Sequence, residues 1–437
     1  MSSDDHAPAG PDAPAHPGAE RTGLRSLALD LTPLRASPQF RLLWAGQGVS
    51  FFGSQMTYVA IPVQVFLLTG STLAVGLIGL CELVALLLSA FVGGAVADAW
   101  DRRRMIRIAE IGLLTVSALL LLNATLDRPR VWPLFLLSAF AAAFDGLQRP
   151  SLEALHARLV PKELQPAAAA LRSATGSLAA LGGPALAGVL IGYVGVPVVY
   201  AVDVVSFAAS LTALTLMAAT PPRADADRPS LQAVREGLRY ARSQPVLMGT
   251  YIADFNAMVF GMPRALFPAL AVTRYGGTGV VGLLYAAPYA GSLLATATSG
   301  WTRRVHRHGQ AIIWAVAVWG LAITAFGFAS SLPVALVALA VAGAADMVSG
   351  LFRMTVWNQT IPDHLRGRLA SIEMVNYASG PLLGDAEAGV VARLTSLQTS
   401  VVSGGLLCLA GLVGVVAFLP EFVRYDARQA QRPEQAG

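Results

Sequence analysis

GGAVADAWDRRRM, residues 93–105, lies between two long apolar runs, 83–96 and 108–126. It places Asp98, Asp101, Arg102, Arg103 and Arg104 within seven residues. Charge at that density is not stable in hydrocarbon, so the stretch reads as a short loop at a membrane face joining two spanning helices. Gly93 and Gly94 remove side chains where the first helix ends, which lets another helix or loop approach closely.

The rest of the chain repeats this alternation. Of its 437 residues 13% are charged and 55% hydrophobic, and the mean hydropathy is +0.58. Soluble domains carry roughly 25% charged residues. Apolar runs of about 20 residues recur, the length that crosses a bilayer as a helix. The expected fold is an all-α membrane protein with twelve transmembrane helices. The spans are predicted near 41–68, 74–97, 105–126, 131–157, 166–192, 197–219, 246–272, 279–302, 310–329, 332–358, 368–392 and 399–420. Cys81 and Cys408 both fall in apolar runs, so no disulfide framework is indicated.

Basic residues orient the spans. Arg128, Arg130, Arg274 and Arg393 are the only ones in the odd-numbered loops, and Arg264 lies inside span 7; the other 26 of the 31 Lys and Arg lie on the opposite side. The positive-inside rule puts that side, with both termini, in the cytoplasm. The expected setting is therefore the plasma (inner) membrane, and the net charge of +5 reflects orientation rather than nucleic-acid binding. Residues 1–40 are polar, contain no hydrophobic h-region and read as a disordered cytoplasmic tail. Residues 41–220 and 246–420 form two six-helix bundles, with a second tail at 421–437. In the linker, 221–245, Leu231, Val234, Leu238 and Ala241 share one helical face and Arg235, Arg239 and Arg242 another. That pattern is an amphipathic surface helix or, alternatively, a solvated charged linker.

The two halves are internally similar. A shift of 201 positions aligns Asp145 with Asp346, Pro161 with Pro362, Leu164 with Leu365, Gly183 with Gly384 and Gly188 with Gly389. Such duplication predicts two pseudo-symmetric bundles with a substrate site between them near the midplane.

Gly94-x3-Asp98-x3-Arg102-Arg103 resembles the loop 2–3 signature of the major facilitator superfamily. The segments FGMPRALFP (260–268) and AADMVSGLFRMTVWNQTIPDHLRGRLASIEMVNYASGPLLGDAEAG (344–389) are similar to its exporter branch of enterobactin exporters and macrolide efflux proteins. The resemblance covers about 380 residues. It implies proton-driven efflux of siderophores, macrolides, drugs or other natural products. It also implies that Asp98 meets the N-terminal end of span 11, near 365–369, when the cavity faces outward. The partial positive charge of a helix N-terminus gives a physical reason, and Glu373 would pair with Arg102 or Arg103. Two features depart from the family pattern. Span 4 lacks the intramembrane Arg of well-studied drug/proton exchangers, and the second-half copy of the loop, GWTRRVHRHG from Gly300, lacks an acid at the place of Asp98.

Catalysis is not indicated. Lys162 is the only lysine and follows Pro161, so a Walker A sequence is excluded. The six histidines lie in tails or near the basic face, and no metal, haem or other cofactor is expected. The partners expected are a small-molecule substrate, protons and the lipid bilayer, with the chain acting as a monomer.

Ionisable residues within spans mark a pathway by default, since each costs ~2.5–3.5 kcal/mol on insertion scales. Asp254 has no Arg or Lys at i±3 or i±4 and is the first choice for the proton-carrying carboxylate. Asp145, Asp346 and Glu82 are further candidates. Arg149 and Arg353 offer structural ion pairs to Asp145 and Asp346 instead. Arg264 has Glu82 or Asp385/Glu387 at matching depth, as an outer lock or a fixed structural pair. Gln47, Phe51, Ser54 and Tyr58 share a face of span 1, and with Arg264, Tyr285 and Tyr289 they form the expected substrate cavity. That mixture suits amphiphilic aromatic ligands. Gly176, Gly183, Gly188 and Gly192 give span 5 a small-residue packing face. The favoured function is export by proton antiport with alternating access. An uptake permease and a non-transporting, transporter-like receptor remain alternatives.

Overall fold

A computed structural model describes residues 29–97, 102–218, 238–362 and 365–430. Among them every regular element is helical. Twelve long elements match the expected spans. α1 to α6 are Pro38–Thr69, Thr72–Ala97, Arg102–Ala124, Trp132–Leu159, Gln165–Tyr193 and Val196–Leu216. α7 is broken into α7a (Pro245–Phe260) and α7b (Phe267–Thr273). α8 to α12 are Val281–Ala297, His308–Phe328, Leu332–Thr360, Arg366–Leu394 and Leu397–Phe418.

Ten of these are long and apolar enough to cross a membrane. The other two, α4 and α11, are the more polar helices that carry Asp145, Arg149 and Glu153, or Glu373, Asp385 and Glu387. Local signals set the ends. Ser37 caps α1 by accepting the Phe40 N–H at 3.1 Å, Pro38 follows it, and Gly70 ends the helix in the left-handed region at φ 61°.

The helices pack as two equivalent bundles. α1 lies on α5 and α6, α2 and α3 on α4, and α3 on α6. The same scheme six helices later puts α7 on α11 and α12, α8 and α9 on α10, and α9 on α12. Two main seams join the bundles, α2 against α11 and α5 against α8. Both are tight because glycines meet there. A Cβ on Gly188 would stand 2.6 Å from the Gly282 nitrogen, and one on Gly389 would stand 3.1 Å from the Gly76 Cα. Of the small-residue face expected on α5, Gly188 and Gly192 serve this seam. Gly183 instead packs on Gln55 and Phe52 of α1, and Gly176 faces open space.

The break in α7 departs from the continuous span expected. Gly261 fits under the Trp319 indole, Pro263 supplies no N–H, and Arg264–Leu266 forms one 3-10 turn before the chain resumes as α7b. The break places Arg264 in the interior.

The surface segments are only partly described. Thr32–Ala36 is already helical within the expected N-terminal tail. Of the linker, 238–243 is helical, with Ala241 buried beside Leu247, Tyr251 and Trp357 while Arg239 and Arg242 are exposed. Leu231, Val234 and Arg235 lie outside the described residues. After α12, Pro420–Arg424 packs Phe422 onto Gly249 and Gly309, so the chain stays docked on the second bundle there.

Candidate functional site

A cavity of about 800 Å³ occupies the interior of the first bundle. It runs from the basic-face ends of α4 and α5, marked by Glu153, His156 and Arg172, to Tyr58 and Glu82 beside the glycine seams. Gln47, Phe51, Ser54 and Tyr58 line it as expected, as do Asp145 and Glu82. Among the described residues Leu382 is the only lining residue from the second bundle. Apolar walls with a few convergent polar groups, at this volume, match what a drug-sized molecule requires.

Two buried carboxylates hold the wall together. Glu110 of α3 is fully buried; its Oε1 accepts Gln47 Nε2 at 2.7 Å and Gln148 Nε2 at 3.2 Å. Gln148 Nε2 also donates to Gln47 Oε1, and Gln47 Nε2 to Ser210 Oγ. Asp203 of α6 accepts Thr57 Oγ1 and Ser117 Oγ on Oδ2, both at 2.7 Å, and Ser206 Oγ on Oδ1 at 3.4 Å. Hydrogen bonds thus stand in for water around Asp203 and at Oε1 of Glu110, while Glu110 Oε2 has no partner.

The sequence reading overlooked Glu110 and Asp203. Asp203 is an isolated acid in an apolar run, the same signal that singled out Asp254, whereas Glu110 has Arg107 three residues before it and reads as a local ion pair. Their partners come from other helices and carry no pattern of their own.

Below the cavity a narrow pocket of about 40 Å³ brings together Tyr58, Glu82, Arg264, Tyr285 and Asp385. Arg264 Nη2 reaches Asp385 Oδ2 at 2.7 Å, while Asp385 Oδ1 accepts the Ala265 N–H at 3.1 Å. The partner of Arg264 is thus Asp385, and both belong to the second bundle. What crosses between bundles is the Tyr58 ring, 5.6 Å from the Arg264 guanidinium and edge-on to Tyr285. Glu82 enters from α2 and has no ion-pair partner among the described residues.

Arg264, Tyr285 and Tyr289 are absent from the wall of the large cavity. Tyr285 is locked among Tyr58 and Phe267 with its hydroxyl donating to the Arg264 carbonyl, and Tyr289 lines neither pocket. In this arrangement neither tyrosine lines the large cavity, and edge-to-face ring packing holds the first.

Asp254, chosen because its own helix supplies no cation, is paired from α10. Arg353 Nη1 contacts Asp254 Oδ1, Asn376 Nδ2 donates to Asp254 Oδ2 at 3.2 Å, and Arg353 Nη2 lies 3.7 Å from Asp346 Oδ1. One buried arginine therefore bridges Asp254 and Asp346. In the first bundle Arg149 stands 3.9 Å from Asp145, and both side chains are more than half exposed along the cavity.

Of the gate residues, Asp98 lies outside the described residues, as does the side chain of Arg102. α2 passes through Gly94 to end at Ala97. Arg103 donates from Nη2 to the Leu214 and Thr215 carbonyls, neutralising the C-terminal end of α6. Glu373 is half-buried on α11, with Arg353 as its electrostatic partner. The expected Glu373–Arg103 pair is not formed in this arrangement, because Arg103 is turned into its own bundle.

A family model described as transmembrane secretion effector matches residues 28–436. The enterobactin exporter EntS of Citrobacter koseri is 29% identical over 404 residues, covering 92% of this chain and 96% of that one. EntS of Escherichia coli O1:K1 is 29% identical over 399 residues, with 90% and 94% covered. Among solved structures, a point mutant of the nucleoside transporter NupG superposes with a TM-score of 0.72 at 12% identity, covering 87% of this chain and 99% of that one. A bacterial homologue of ferroportin superposes with a TM-score of 0.67 at 15% identity, covering 88% and 98%. At these identities the structural likeness establishes the shared fold.

Proposed function

This chain belongs to the transmembrane secretion effector family of the major facilitator superfamily, and from that premise we propose that it exports amphiphilic small molecules, siderophores among them, by proton antiport with alternating access. The protein is a multi-pass inner-membrane transporter rather than an enzyme. The observation that carries the reading is the cavity of about 800 Å³, walled by aromatic rings, amides and carboxylates and stopped at one end by the glycine seams. A passage blocked at one face is what an alternating carrier presents in each half of its cycle. The named exporters support the direction and the siderophore class.

With the basic loops in the cytoplasm, the arrangement is the cytoplasm-facing one. Gly94, Asp98, Arg102, Arg103 and Glu373 form the gate that closes when the cavity turns outward, which accounts for the separation of Glu373 from Arg103. Asp254 is the principal proton carrier, with Asp346 beside it on Arg353 and with Asp145 and Glu82, on the wall of the large cavity, as further candidates. Protonating Asp254 would release Arg353, whose second contact is Asp346. Gln47, Phe51, Ser54 and Tyr58 hold substrate, and a monomer contains the complete path.

The test is purified protein in liposomes with an imposed pH gradient and a panel of hydrophobic dyes and siderophores. Antiport requires dye or siderophore to move against proton flow. Movement with the protons would establish an uptake permease. Binding without any crossing would establish a receptor.

A further inference from the structure

The side chains of Glu110 and Gln148 are hydrogen bonded to one another, yet each retains a buried acceptor with no partner, Glu110 Oε2 and Gln148 Oε1. A buried acceptor left without a donor is destabilising, and here two of them belong to side chains already in contact. A carboxylic acid and a primary amide, by contrast, form a two-point pair. The amide N–H donates to the carboxyl oxygen, and the acid O–H donates to the amide oxygen. That second bond exists only when the acid carries a proton. We propose that Glu110, held by Gln47 and Gln148, is a proton-binding site of the first bundle, the proton on Oε2 being shared with Gln148 Oε1 after a small side-chain rotation. The step is a simple protonation: H⁺ from water adds to the carboxylate, and nothing else is bonded or released.

Asp203 provides an internal contrast. It is equally buried and, like Glu110, has no ion pair among the described residues. Two hydroxyls donate to its Oδ2 at 2.7 Å, and the Ser206 hydroxyl, whose nearer acceptor is the Asp203 carbonyl at 2.7 Å, lies 3.4 Å from Oδ1, so neither oxygen is left without a hydroxyl nearby. Glu110 receives both amide donors on Oε1, with the Ser210 hydroxyl also beside the carboxylate, and its Oε2 has no hydrogen bond.

The charged groups around Glu110 do not neutralise it. Asp203 faces it from α6 as a like charge. Asp145, Arg149, Glu153 and His156 of α4 and Arg172 of α5 line the shared cavity. Arg107, one turn earlier on α3, forms no ion pair with it, and α1 offers only the Gln47 amide. Gln47, Glu110 and Gln148 all line the substrate cavity. A ligand that took the Gln47 amide would therefore alter proton binding at Glu110. This second proton site rests on the antiport reading above, but its occupancy can be measured without any transport.

The experiment is infrared difference spectroscopy of the full chain in liposomes, stepped from about pH 9 to about pH 5 without substrate. A protonated-carboxyl C=O band should grow as pH falls, disappear in Glu110→Gln, and persist in Asp203→Asn and Asp254→Asn. Gln148→Leu keeps the acid but removes an N–H donor from its carbonyl, so the band should move to higher wavenumber. A band unchanged in both Glu110→Gln and Gln148→Leu, or no band in the wild type, overturns the site. Failure of pH-driven flux with the band still lost in Glu110→Gln would overturn the antiport reading and leave the site standing. Flux with an unchanged band would do the reverse.

Discussion

Gly188 and Gly389 stand 201 residues apart in sequence and do the same thing in space: each lets its helix press against the other bundle at a glycine, Gly282 or Gly76. The duplication legible in the sequence is thus a pair of equivalent seams. In the proposed alternating-access cycle, their tightness would define which face of the carrier is shut.

Gly188→Leu should therefore favour the opposite state. Overpacking a close contact costs about 1–3 kcal/mol, and here the cost falls only on the arrangement with this seam closed. The expected outcome is increased labelling, from the outer face, of a cysteine placed at Tyr58. Gly176→Ala, which faces open space, should leave labelling unchanged.

Arg264 and Asp385 form a largely buried pair, so removing one partner strands the other. Breaking such a pair typically costs about 3–5 kcal/mol. Arg264→Ala and Asp385→Ala should each lower the melting temperature. The double variant should lose less than the sum, with a coupling of about 0.5–3 kcal/mol. Additive losses would show that the contact contributes nothing.

Tyr58 crosses the interface through its ring. Tyr58→Phe preserves the face over Arg264 and should transport like the wild type. Tyr58→Leu removes a contact of about 0.5–2 kcal/mol and should raise leakage of dye through the closed face in a liposome efflux assay.

Asp254→Asn should abolish the response of transport to a pH gradient while sparing substrate exchange. Arg353→Ala keeps the carboxylate but removes its cation, so it should shift the pH dependence rather than erase it. An undiminished gradient response in Asp254→Asn would exclude this residue from coupling.

Asp98→Asn tests the gate. It should slow cycling and leave ligand binding nearly unchanged, as read by comparing dye binding with counterflow. Equal rates in variant and wild type would remove Asp98 from the gate.

The spans and their grouping were legible because hydropathy and basic-residue placement are properties of single helices. The break in α7 was written in Gly261 and Pro263, yet a span of good length concealed it. The pairing of Asp254 was illegible for a different reason. A scan at i±3 and i±4 sees only one helix, and Arg353 arrives from another, about 100 positions away. For the same reason the face of α1 lines the cavity, whereas Tyr285, on an equally aromatic face, is packed among rings. Periodicity gives the face, but only the neighbouring helices decide whether that face meets space or another side chain.

The one-sided cavity has a thermodynamic corollary. Its wall is almost wholly the first bundle, with Leu382 the single exception among the described residues, so a bound molecule rides as a passenger on that half. In the proposed cycle, rocking the halves past each other would change few of its contacts, and it would bind the two orientations nearly equally. A ligand with equal affinity for two states cannot bias the equilibrium between them. On the proposed antiport cycle, cargo alone would leave the carrier running downhill in either direction, and the directional bias would come from the proton.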